Sequence, residues 1–132
     1  MAYSTIVKPQ DYFNTKLYTG NGSAGNAITG VGFQSDFSWI KNRAADWHIW
    51  TDAVRGVTKQ IYSNSSSAEA TDSTYMQSFN SDGFTLGTNA DVNDSGNNYA
   101  SWNWLAANGT ASNTTGSINS TVSVNTTSGF SI

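Results

Sequence analysis

An all-β chain, folded as an antiparallel sandwich or barrel, is what the sequence predicts, and three observations predict it. Short apolar stretches alternate with period 2 over four to eight residues, they are separated by clusters of Gly, Asn, Ser and Asp, and no stretch carries clear helical periodicity. With 132 residues the chain has the length of one domain with a real core.

In chain order, residues 1 to 16 read as a possible N-terminal arm that orders against a partner subunit, since apolar residues are thin there and Pro9 is the only proline. Gly20-Asn21-Gly22 suits a turn with positive φ. ITGVGF (28 to 33) leads to DFSWIKN, in which Phe37 and Trp39 alternate with Asp36 and Ser38. DWHIWTDAV puts Trp47 and Ile49 on one side, His48 and Trp50 on the other, and the Arg55-Gly56 turn joins it to VTKQIYS, so 47 to 62 reads as a hairpin. SSSAEATDS reads as a longer loop with one helical turn around Ala68 to Thr71. TYMQSF, GFTLG and YASWNWLA read as three strands; in the last, Trp102 and Trp104 share a side with Ala100. Trp39, Trp102 and Trp104 are expected in the core because each has in-phase apolar neighbours.

After Leu105 the composition turns small and polar. Residues 106 to 117 read as linker-like, and from about 118 edge strands are expected, anchored by Ile118, Val122 and Val124, packing at a sheet edge or on a neighbouring molecule. Ser81-Asp82-Gly83-Phe84-Thr85-Leu86 is echoed by Thr127-Ser128-Gly129-Phe130-Ser131-Ile132, so the chain is expected to end on a strand. The domain proper is thus 17 to 132.

Composition excludes several functions. Only 11% of residues are charged, the net charge is -3, and the six Lys and Arg are scattered singly, which argues against nucleic-acid binding and anionic lipid surfaces. The absence of cysteine removes thiolate zinc and disulfide frameworks. No apolar run approaches the roughly 20 residues of a membrane span; no membrane insertion is expected, and the first residues lack the pattern of a signal peptide.

Asp91-Val92-Asn93-Asp94-Ser95-Gly96 matches the first six positions of an EF-hand loop, with oxygen side chains at 1, 3 and 5 and Gly at 6, but position 12 is Trp102 rather than Glu. Any site would thus be a non-EF one using the side-chain oxygens of Asp91, Asn93 and Asp94. These oxygens are a weak calcium candidate, and the alternative is a polar turn whose Asn and Asp cap their own backbone. No metal or other cofactor is expected. The only histidine, His48, has no nucleophile motif to serve, and no carboxylate pair stands out among eight Asp and one Glu, so the chain is expected not to be an enzyme. Arg43, Asp46, Asp52 and Arg55 read as ion pairs that fix strand register. Sugar recognition has better ingredients: five Trp and six Tyr for pyranose faces, with Asn and Asp for hydroxyls. Trp47, His48 and Trp50 cover both faces of one segment, so at least one aromatic there should be exposed. Together with Asn93, Asp94 and Asn97 they form the candidate ligand or interface patch.

The succession YTGNG, ITGVGFQSDFSWIKNR, DAVRGVTKQIYSNSSSAEATDS, FNSDGFTLG, YASWNW and TTGSINSTVSVNTTSGFSI resembles an uncharacterised repeat domain of marine bacteriophage virion proteins, from Leu17 to Ile132. Proline often stands in that pattern where this chain has Ser35, and DWHIW is richer in aromatics. The resemblance implies a lectin-like β-sandwich, jelly-roll or concanavalin-like. It also implies a fibre, tail-associated protein or capsid decoration, with no catalytic residues to carry over. The expected function is a non-enzymatic virion structural protein in many copies, a homo-oligomer meeting other virion subunits, extracellular after release. The alternative is a carbohydrate-binding module recognising host-surface glycans.

Overall fold

A computed structural model describes residues 6 to 44 and 46 to 132. Two antiparallel sheets face each other. The larger has the order β1-β9-β3-β4-β5-β6, built from Phe13–Thr19, Asn98–Trp104, Phe37–Asn42, His48–Asp52, Lys59–Tyr62 and Ala70–Thr71. The smaller has the order β2-β8-β7, from Asn26–Thr29, Gly83–Leu86 and Met76–Asn80. This is the sandwich that the alternating segments predict.

Between the sheets lie Ile28, Val31, Phe33, Ile40, Ile49, Tyr75, Met76, Phe84, Leu86, Val92 and Tyr99, all buried. Ile28, Met76, Phe84 and Leu86 come from the small sheet, and Ile40, Ile49 and Tyr99 from the large one. The facing side of the large sheet is unexpectedly polar: Ser38, Asn42, Thr51, Ser101 and Asn103 are as buried as the aliphatic residues. Ser38, Ser101 and Asn103 satisfy one another, while the Asn42 side chain bonds Asp46, Tyr99 and the Ala44 amide. The Ser38 hydroxyl donates to Asn103 Oδ1 at 2.9 Å, and Asn103 Nδ2 donates to Ser101 Oγ at 3.0 Å and to the Asn14 carbonyl at 3.2 Å. Asn14 Nδ2 in turn donates to the Val31 carbonyl, which ties β1 to the loop after β2.

Gln60 breaks this pattern. It is 1% exposed, and neither atom of its amide has a hydrogen-bond partner among the described residues. An unpaired buried amide is costly, so Gln60→Met, nearly the same size without the polar atoms, is expected to stabilise the fold by about 1–2 kcal/mol. A rise in the urea midpoint at unchanged slope is the check.

Several elements differ from expectation. β1 starts at Phe13 and a 3-10 turn spans Pro9–Asp11, so residues 13 to 16 belong to the large sheet; Met1 to Thr5 of the expected arm lie outside the described residues. No helical turn forms around Ala68 to Thr71. Ala70–Thr71 is instead β6, paired with β5, and Glu69 beside it bridges Lys59 and Arg55 at 3.4 and 3.5 Å. Of the alternating charges, Arg55 pairs with Asp52, whose carboxylate also caps the turn by accepting from the Val54 and Arg55 amides. Asp46 takes its bond from the Asn42 amide.

The C-terminal strands add to neither main sheet. β10 (Ala111–Asn113) pairs with β11 (Ser120–Val122), and β12 (Val124–Asn125) with β13 (Phe130–Ser131). Ile118 and Val124, expected anchors, are exposed. Polar bonds hold the segment instead: Asp36 Oδ2 accepts from the Ala106 and Asn108 amides, the Ala107 amide donates to Ser123 Oγ, and Asn125 Nδ2 donates to the Ala106 carbonyl.

Candidate functional site

Strand alternation puts every second residue of the large sheet on its outer face, and there the sequence has placed its aromatics. Register aligns them in rows. One row runs Phe13, Trp104, Phe37; the next runs Thr15, Trp102, Trp39, Trp50, Ile61; a third runs Leu17, Ala100, Lys41, His48. Trp39, Trp102 and Trp104 are therefore not core residues. They are half-buried on the side opposite the core, because Ser101 and Asn103 face inward between them.

The rings pack against each other rather than lying flat. Trp39 meets Trp102 at 5.0 Å and 37°, and Trp50 at 6.1 Å and 89°, while Phe37 meets Trp104 at 5.3 Å. Tilted and edge-to-face contacts of this kind stabilise a cluster without a second layer above it. The indole N–H groups of Trp39 and Trp50 are buried and have no hydrogen-bond partner among the described residues.

Only part of the face is covered. Phe130 of β13 lies over Trp104 at 6.0 Å and 21° and against Phe37 at 6.3 Å. Towards the β1 edge the face is open, with Phe13 37% and Leu17 65% exposed.

His48 sits at the end of this face, opposite Lys41 in the register. Burial, and then the Lys41 charge, hold its pKa below the ordinary 6.5. A base whose pKa is lower in the fold than in the unfolded chain stabilises the fold while neutral, and that contribution is lost as pH falls below 6.5 through the folded value. Lys41→Met is expected to move the His48 midpoint upward, read by NMR titration of the imidazole.

The remaining predicted site residues are divided. Trp47 is 42% exposed, as one aromatic of that segment had to be, and its ring lies 5.1 Å from Tyr62. Asn93 is fully buried at the end of α1 (Ala90–Asn93), a single helical turn capped by Asn89. Its Oδ1 accepts from the Asn21 amide at 3.0 Å and Asn26 Nδ2 at 2.7 Å; its Nδ2 donates to the Ser23 carbonyl at 2.9 Å and the Gly87 carbonyl at 2.6 Å. Asn93 is thus a staple and offers nothing to a ligand. Asp91 accepts from the Tyr75 hydroxyl at 2.6 Å, and Asp94 from Asn97 Nδ2 at 2.8 Å. Each of the three calcium candidates has a hydrogen-bond partner within the chain. The DVNDSG loop meets the Gly20 to Gly25 loop of its own chain: Gly22 N–H donates to the Asn93 carbonyl and Gly96 N–H to the Gly20 carbonyl.

Asn97 and Asn98 line an open polar cleft of about 290 Å³ with Arg43, Ala44 and Gly96. This is where the β3–β4 turn and the 94 to 97 loop come together, although Trp47 and Trp50 do not reach it. Arg43, expected from the sequence only in ion pairing, forms part of this cleft.

Two antiparallel sheets around one core, with an aromatic outer face partly roofed by a C-terminal hairpin, define a β-sandwich with an apolar outer surface. Residues 8–132 match a family described as a domain of unknown function (DUF7483), and the chain belongs to that family. No curated protein and no solved structure matches it.

Proposed function

We propose that the protein is a non-enzymatic structural component of a bacteriophage virion, present in many copies as a capsid decoration, fibre or tail-associated part. The observation that carries the reading is the open side of the aromatic face, where Phe13 and Leu17 stand exposed on an edge strand beside Trp102 and Trp104. Contiguous apolar surface of this kind marks contact with another macromolecule. An edge strand offers unpaired backbone groups to the same neighbour. The low charge and uncharged polar surface suit a particle in salt water, where charges are screened within several ångströms. The resemblance of YTGNG, ITGVGF and FNSDGFTLG to marine phage repeats supplies the virion context.

Light scattering is expected to give a stable oligomer whose mass does not change with chelator. Leu17→Lys, which sets a charge on the open edge without touching the core, is expected to return it to monomer. A monomeric wild-type chain at all concentrations overturns the assembly reading, and failure of an antibody to the chain to label purified particles overturns the virion reading.

A second reading, recognition of host-surface glycans, is favoured by the half-exposed aromatic rings. It is compatible with the first.

A further inference from the structure

Asn21 and Asn108 are the asparagines of this chain that glycine follows, and the fold treats them in opposite ways. We propose that Asn108 is a self-modification site: the exposed Asn108-Gly109 pair converts slowly to aspartate and isoaspartate, and the product loosens the C-terminal segment from the sandwich.

The chemistry is intramolecular. The Gly109 backbone nitrogen, once its proton has passed to hydroxide, attacks Cγ of the Asn108 side chain. The new C–N bond closes a succinimide ring as the side-chain nitrogen, protonated by water, leaves as ammonia. Water then opens the ring. Hydrolysis at Cγ leaves aspartate, and hydrolysis at the Asn108 main-chain carbonyl leaves isoaspartate, in which the backbone runs through Cβ and Cγ. The net change is one water in and one ammonia out, with nothing oxidised or reduced. Glycine in the second position matters because it has no Cβ to keep its nitrogen away from the side chain, and its backbone rotates freely.

Asn21 has the same neighbour but is held. Gly22 N–H donates to the Asn93 carbonyl at 2.8 Å, and Asn21 Oδ1 accepts from the Ser23 amide at 2.8 Å and from Asn93 Nδ2 at 3.3 Å. Both the attacking nitrogen and the amide it would attack are thereby engaged. Asn108 differs at each point. Asn108 and Gly109 are exposed, and neither the Asn108 side chain nor the Gly109 N–H has a hydrogen-bond partner among the described residues. Nothing lies within 4 Å of where a Gly109 Cβ would go, so the pair has space to turn.

Only the main chain of Asn108 is committed. Its N–H donates to Oδ2 of the buried Asp36 at 3.0 Å, beside the Ala106 amide at 2.7 Å. The product acts at this point. Either product puts a second carboxylate on the residue whose N–H the Asp36 carboxylate holds, and like charges brought close repel. Isoaspartate also lengthens the backbone by one carbon immediately after that N–H. The bonds from Ala107 to Ser123 and from Asn125 to Ala106 lie within the C-terminal segment, so the Asp36 bonds fasten it to the sandwich together with the Phe130 ring.

The test is to hold the full chain at mildly acid and at mildly alkaline pH and to follow each asparagine by mass spectrometry of chymotryptic peptides, with isoaspartate counted by enzymatic methylation. Conversion is expected at Asn108, faster at the alkaline pH because the nitrogen attacks only after losing its proton. At Asn21 it is expected to be at least about tenfold slower, since three hydrogen bonds must open first. In guanidinium chloride the two sites are expected to convert at similar rates. Gly109→Ala, which has space for its Cβ, is expected to slow Asn108 severalfold with the fold unchanged. In the aged chain the Ala106 amide is expected to exchange its hydrogen faster while β3 and β9 stay protected, and the Gly109→Ala chain aged alongside is expected to keep its protection. Conversion at Asn108 no faster than at Asn21 in the folded chain overturns the site. Conversion without faster exchange at Ala106 overturns its effect on the C-terminal segment.

Discussion

Asn93→Ala is expected to cost about 3–5 kcal/mol, a large share of a typical domain's stability of about 5–15 kcal/mol. The side chain is fully buried and joins the stretch from Asn21 to Asn26, about seventy residues earlier, to Gly87 just after β8. Truncation leaves two donors and two acceptors facing an empty space, each with a desolvation cost of about 1–3 kcal/mol that relaxation only partly recovers. Asn93→Asp keeps the shape and the acceptor but loses both donated bonds and brings a buried carboxylate against two carbonyl oxygens. It is expected to be at least as harmful at neutral pH. Asp94→Ala, one residue on, is expected to cost less than about 1 kcal/mol because its carboxylate is exposed and holds only Ser95 and Asn97. Urea denaturation of the three variants separates a staple at 93 from a loop-wide effect.

The strands were largely legible. Alternation between polar turn clusters locates the 48 to 62 hairpin and β7, β8 and β9, because period 2 and positive-φ glycines are local signals. Which face of β9 looks inward was not legible. Alternation says that Trp102 and Trp104 share a side, and hydrophobicity then assigns that side to the core. The fold does the opposite, because Ser38, Ser101, Asn103 and Asn14 close a network whose members lie up to 89 residues apart. The aromatic rows were hidden for the same reason: they exist only once β1, β9, β3 and β4 are in register. At Ala68 to Thr71 local helix preference lost to the ladder with Lys59 and Gln60 and to the Glu69 ion pairs. In the candidate patch, Asn93 is marked by its Asp and Asn neighbours, yet all its partners but Gly87 sit about seventy residues earlier, and nothing in DVNDSG points to them.

The echo between SDGFTL and TSGFSI gives a controlled comparison of what one methyl group costs in two places. Both glycines have positive φ, +134° at Gly83 and +71° at Gly129. Gly129 has open space where a Cβ would go. Gly129→Ala therefore meets only left-handed backbone strain, about 1–2 kcal/mol, borne by the exposed C-terminal hairpin. At Gly83 the added Cβ would run into the carbonyl of Ile28 and lie against Val31. That carbonyl belongs to β2, whose Thr29 pairs with Gly83 while Asn80 of β7 pairs from the other side, so the clash cannot be relieved by moving one strand outward. Asp82 tightens the same spot by accepting from the Gly30 and Gly32 amides at 2.9 and 2.6 Å. Gly83→Ala is accordingly expected to cost about 4 kcal/mol or more and to disrupt the three-stranded sheet as a whole, while Gly129→Ala leaves the main urea transition nearly in place. Equal losses at the two sites would mean that backbone strain alone decides. A much larger loss at Gly83 would assign the difference to the close approach of β2 and β8, the contact that holds Ile28 and Phe84 in the core.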